Sequence, residues 1–80
     1  MTRGLQVGDI VVDQITGEIG LLMERYLLSK DRYDDILQLW VWNVYWVGKD
    51  IDDENRLTVW TEYGLQNIIK TGTYILYHNI

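Results

Sequence analysis

Carboxylates are the most abundant chemically capable side chains in this chain: twelve Asp or Glu, against seven Lys or Arg, one His and no Cys. They are densest in Asp50-Ile51-Asp52-Asp53-Glu54, a run that could offer oxygen ligands to Ca²⁺ or Mg²⁺. A helix–loop–helix calcium loop needs Gly at its sixth position and Glu at its twelfth. Counted from Asp50 those positions are Asn55 and Thr61, and from Asp52 they are Leu57 and Tyr63. The match fails, and the run reads as a solvated, self-repelling loop. Without Cys there are no disulfides and no thiolate zinc sites, and a single His cannot build a His-rich metal centre. Nucleophilic catalysis needs a nucleophile, a base and an orienting group within hydrogen-bond reach. His78 and the only serine, Ser29, lie far apart in sequence. Paired carboxylates are the remaining acid–base material, but a domain this small has little room for a deep pocket of the usual several hundred Å³. The expectation is a protein that is not an enzyme, with no catalytic, cofactor or metal-binding residues.

The basic residues Arg3, Arg25, Lys30, Arg32, Lys49, Arg56 and Lys70 are scattered, and the net charge is −5. A phosphate backbone is repelled by such a chain, so nucleic acid is not an expected partner. The opening MTRGLQVGDI holds neither a long apolar run nor a small-residue cleavage site, so neither a signal peptide nor a membrane anchor is expected.

These side chains must be positioned by the element around which the chain is organised, Ile36 to Val47 (ILQLWVWNVYWV). It carries three of the four tryptophans. Its β-branched and aromatic content predicts a strand, and it is short of the roughly 20 residues of a membrane span. Ile10–Val12, Ile19–Leu28, Leu57–Glu62 and Thr73–His78 read as further short strands. Ile19, Leu21 and Met23 are expected on one side of the second strand, with Leu22, Glu24 and Tyr26 on the other. Gly20 marks a bulge or a close approach of backbone. Ser29–Asp35 and Gly48–Arg56 are polar loops. Tyr63–Lys70 has Leu65, Ile68 and Ile69 at helical spacing but is short for an independent helix, so one 3₁₀ turn is expected there. The whole, residues 1–80, is expected to be a single domain.

Gly8-Asp9-Ile10-Val11 followed by Gly17-Glu18-Ile19-Gly20-Leu21-Leu22 resembles the strand–turn–strand opening of small SH3-like barrels, including the KOW and Tudor-like groups. Trp42-Asn43-Val44-Tyr45-Trp46, the carboxylate-rich loop, Trp60-Thr61-Glu62-Tyr63-Gly64-Leu65 and Ile68–Lys70 are similar to small SH3-like proteins encoded by tailed bacteriophages. The resemblance spans roughly Val7 to Tyr77 and lacks the basic loop residues of KOW proteins. It implies an all-β fold: one SH3-like barrel of about five strands with a short 3₁₀ turn before the last. It also implies a small structural or accessory phage protein, in the host cytoplasm or in the virion.

Two interaction sites are expected. Both alternating sets of the central strand are mostly apolar, and one barrel interior cannot hide both. The second face must be covered by the chain's own terminal segments, by a ligand or peptide seated in a groove, or by another protein; the set Leu39, Val41, Tyr45 and Val47 is expected to face outward as the contact of a homo-oligomer or of a larger protein assembly. The alternative follows from the Tudor-like resemblance: Tyr26, Tyr45, Trp60 and Tyr63, with Glu62, as an aromatic cage for a methylated cation.

Overall fold

The chain turns between its first two strands at Asp13, whose side-chain Oδ1 accepts the Ile15 and Thr16 N–H groups at 2.8 and 3.3 Å. This turn joins β1 (Ile10–Asp13) to β2 (Ile19–Leu28). The computed structural model describes residues 4–28, 39–48 and 51–79. Next come β3 (Leu39–Val47), a 3₁₀ turn at Asp53–Asn55, β4 (Leu57–Thr61), α1 (Glu62–Lys70) and β5 (Tyr74–Tyr77). The part of the predicted central strand before Leu39, and the loop expected at Ser29–Asp35, lie outside the described residues.

The five strands form one antiparallel sheet in the order β4-β3-β2-β1-β5. The predicted barrel would need the sheet to close on itself. Here β4 and β5 stand at opposite edges, and no ladder joins them among the described residues. The all-β reading holds, and the sheet is open.

The register of β2 against β3 decides which side chains share a face. Leu22 pairs with Val44, and the next pair is Glu24 with Asn43, which leaves Met23 as an extra residue. Such a bulge shifts the alternation by one. Glu24 and Tyr26 therefore fall on the face of Ile19 and Leu21, not on that of Leu22 as uninterrupted alternation implies. Gly20 itself is a point of close approach. A Cβ there would stand 2.8 Å from Val44 Cγ1 and 3.0 Å from both Val11 Cγ2 and Trp46 Cζ3.

On the inner face Val11, Leu22, Trp42, Val44, Trp46 and Tyr74 are buried together with Leu65 of α1. The predicted 3₁₀ turn is in fact a nine-residue α-helix. Its start is capped by Thr61, whose hydroxyl accepts the Gly64 N–H at 3.0 Å. Its end is closed by Gly72, at φ 88°, whose N–H reaches the Ile69 carbonyl. In isolation so short a helix is marginal. Burial of Leu65, with Ile68 and Ile69 packed beside it, supplies what local propensity lacks.

Candidate functional site

The opposite face of the sheet is apolar across all five strands. Directly opposed residues share a face, so the pairings define rows. One row runs Leu57, Tyr45, Leu21, Ile10, Tyr77 from β4 to β5. The next runs Val47, Ile19, Val12, Ile75. Neither row contains a charged residue. Asn43 and Glu24 enter in the flanking row with Val59, and Thr61 in the row beyond it with Val41 and Tyr26. Leu57, Val59 and Val47 are 58%, 61% and 53% exposed, and Ile19, Tyr45, Ile75 and Tyr77 are also open to solvent. The described ends of the chain lie elsewhere. Leu5 packs against the inner core, and His78 and Asn79 hold to Asp9.

Of the outward set expected from β3, the structure leaves Tyr45 and Val47 exposed, Leu39 half-buried and Val41 buried at 2% exposure. Val41 is a correction: it lies on the outer side, between Tyr26 and Thr61 in the pairing, but is not part of the accessible patch. The patch instead spreads sideways to Ile19, Leu57, Val59, Ile75 and Tyr77. The signal was in the sequence. Ile10-Val11-Val12 and Tyr74-Ile75-Leu76-Tyr77 are apolar at both parities, as β3 is.

The expected aromatic cage is not assembled. Trp60 pairs with the buried Trp42 and so lies on the inner face, whereas Tyr45 and Tyr26 pair with Leu57 and Val41 on the outer one. Tyr63 stands 78% exposed on α1. Glu62 is already engaged. Its Oε1 accepts from Arg25 Nε at 2.8 Å and from Trp42 Nε1 at 3.1 Å, and its Oε2 from Arg25 Nη2 at 3.0 Å. The Arg25 hydrogen bonds hold its carboxyl below the ordinary value against the opposing pull of burial, with the Trp42 indole adding to them. Arg25 in turn lies 3.8 Å over the Trp40 ring. This cluster ties the first residue of α1 to β2 and β3.

A second polar knot joins the chain's ends. Asp9 is fully buried. Its Oδ1 accepts the Asn79 N–H at 2.8 Å, and its Oδ2 takes the Gln6 N–H and His78 Nδ1, both at 3.0 Å. Burial alone would push this carboxyl up, but the Asn79, His78 and Gln6 hydrogen bonds outweigh it and hold the group below its ordinary value. His78, the only imidazole, is therefore occupied with a structural carboxylate.

Among the described residues no three His, Cys, Asp or Glu side chains gather as a metal site would need, and no helix is long and apolar enough to cross a membrane. An open cleft of about 330 Å³ lies between β3, β4 and β5, beside the Asp52–Asn55 stretch. Compared with known proteins, the chain matches no family model, no curated protein and no solved structure.

Proposed function

We propose that this protein is a non-enzymatic interaction module that self-associates by packing the outer faces of two sheets. The observation that carries this reading is a pair of charge-free rows, one crossing all five strands and the other four, with most of their side chains open to solvent. An antiparallel sheet with one solvated face ordinarily alternates apolar and polar residues, and this one does not. At about 4.8 Å between strands and 3.4 Å per residue, the nine residues of the two rows cover on the order of 300 Å². That is over a third of the roughly 800 Å² that one partner brings to a standard interface, and the flanking residues add to it. Asn43, Glu24 and neighbouring polar groups would form its rim.

A second copy is the partner that fits best. The two rows carry no charge that would select an oppositely charged protein, and Glu24 stands at their rim. Two such faces can stack about 10 Å apart as in a β-sandwich, related by a two-fold axis. Tyr45 and Tyr77, with large apolar rings and polar tips, suit the centre of such a contact.

The strand order, with a helix between the fourth and fifth strands, supports reading the fold as an opened SH3-like barrel. The resemblance to phage-encoded SH3-like proteins then supports a structural or accessory role in a tailed phage, in the host cytoplasm or the virion. The test is Tyr45→Asp combined with Val47→Asp. Both residues are exposed, so the variant should keep the circular dichroism of the wild type while losing its self-association in light scattering. A wild type that stays monomeric at high concentration would end the self-association reading.

A further inference from the structure

β4 stands at one edge of the sheet, and its ladder with β3 fixes which of its backbone groups are in use. The Trp46 N–H donates to the Arg56 carbonyl at 2.6 Å, just before β4 begins. Hydrogen-bonded and non-hydrogen-bonded positions alternate along an antiparallel pair. Counted from Trp46 and Arg56, the pairs Val44–Thr58 and Trp42–Trp60 exchange hydrogen bonds, and Tyr45–Leu57 and Asn43–Val59 do not. The N–H and C=O groups of Leu57 and Val59 therefore point away from β3, and among the described residues no hydrogen bond reaches them. Exposed edges are ordinarily blunted by a Lys, a Pro, a bulge or a covering segment. β4 reads Leu57-Thr58-Val59-Trp60-Thr61, with no charge, no Pro and an unbroken register against β3. At its end α1 is drawn inward, because Glu62 is held by Arg25 of β2 and Trp42 of β3. The two sides of this edge differ in chemistry. Leu57 and Val59 lie on the outer side, exposed and apolar. Thr58 and Trp60 lie on the inner side, beside the cleft that Glu18 and Asp52 also line and that no basic residue lines. The nearby Arg56 directs its guanidinium to the Trp46 carbonyl at 3.4 Å.

We propose that β4 pairs with an extended segment of another protein, added as a further antiparallel strand, in which apolar and basic residues alternate. Main-chain hydrogen bonds to Leu57 and Val59 hold the segment. Its apolar side chains continue the outer face beside those two residues, and its Lys or Arg side chains fall on the inner side, toward Glu18 and Asp52. A second copy of this chain suits the edge less well. β4 offers no basic residue to the other copy's carboxylates, and each copy carries a net charge of −5. This pairing uses backbone groups at the edge of the sheet and is independent of the contact between outer faces.

A short capped peptide of alternating valine and lysine is the probe. It should bind saturably both to the wild type and to the variant carrying Tyr45→Asp and Val47→Asp, which separates this contact from the one between copies. Binding should slow amide hydrogen exchange at Leu57 and Val59 at least roughly tenfold, while Thr58 and Trp60, already bonded to β3, change little. In antiparallel pairing the peptide's valine N–H groups face β4, so methylating those nitrogens should abolish binding and methylating the lysine backbone nitrogens should leave it within about twofold. At matched ionic strength, Glu18→Gln with Asp52→Asn should weaken binding at least roughly fivefold. Val59→Pro removes an N–H that β3 does not use and should also abolish binding; should it fail to fold, the methylated peptides carry the test. Equal losses from the two methylated peptides, or no slowing at Leu57 and Val59, would overturn the proposal. So would slowing at these amides without peptide that grows with the concentration of the double variant, since it would place a second copy on the edge.

Discussion

Replacing Asp9 should loosen both ends of the chain at once. The carboxylate is the shared acceptor for the Gln6 and Asn79 N–H groups and the partner of His78, at 2.8–3.0 Å. Asp9→Ala strands these donors. A buried donor without an acceptor costs about 1–3 kcal/mol, but the tail can swing out and hydrate, so the total should be about 2–4 kcal/mol. For 80 residues at roughly 0.05–0.15 kcal/mol each, the whole stability is about 4–12 kcal/mol. The loss is therefore a large fraction of it, equivalent to about 10–25 °C in Tm at this size. Asp9→Asn removes the charge and one acceptor, and should fall between the wild type and Asp9→Ala. Its pH dependence is the sharper assay. The folded-state carboxyl lies below its unfolded value of about 3.9, so the stabilisation it provides is complete above that value. It drains away as pH falls through the folded-state pKa. Urea melts should thus show the wild type well above Asp9→Asn at pH 7 and the gap closing in strong acid. A gap that is the same at both extremes, or absent at pH 7, would refute the assignment of Asp9 as a charged tie between the termini.

The remaining predictions concern the helix clamp and the two faces of the sheet. Glu62→Ala leaves the indole N–H of the fully buried Trp42 without its acceptor and should cost about 1–3 kcal/mol in urea melts. Glu62→Gln, which keeps an oxygen for that indole, should lose clearly less. Val41→Asp places an unpaired charge at a buried position and should destabilise the fold by about 3–5 kcal/mol, read as loss of cooperative unfolding rather than as a change in oligomeric state. Gly20→Ala drives a methyl against Val44, Trp46 and Val11 and should cost about 1–3 kcal/mol, visible as a lower thermal midpoint.

The elements were legible in the residues wherever local chemistry acts alone. Ile19–Leu28 is a strand over its full predicted length: its apolar residues fall at alternating positions on both faces, between the Thr16-Gly17 turn and the polar run that begins at Ser29. The helix was visible as the spacing of Leu65, Ile68 and Ile69 but was underestimated, since its stability comes from burying Leu65 against β3, β4 and β5. The bulge at Met23 has no local signature: Met is neither a turn residue nor a glycine, and only pairing with β3 reveals the extra residue. That shift matters for site residues, because parity alone cannot say which of Arg25 and Tyr26 meets the core. The two-sided apolarity of β3 correctly indicated an outer patch. Its reach across β4, β1 and β5 depends on register, as does the separation of Tyr45 from Trp60 that dismantles the expected cage. The Asp9 knot joins residues seventy positions apart, and no spacing rule points to it.

The outer face as a contact between copies is tested most directly by sedimentation velocity of the wild type from low micromolar to millimolar concentration, at neutral pH. The expected result is a species at twice the 9.5 kDa chain mass that grows with concentration and persists in high salt, as an uncharged apolar contact requires. Tyr45→Asp with Val47→Asp should run as a monomer throughout. A wild type that remains a monomer across the whole range, or a dimer that survives both substitutions, would contradict it.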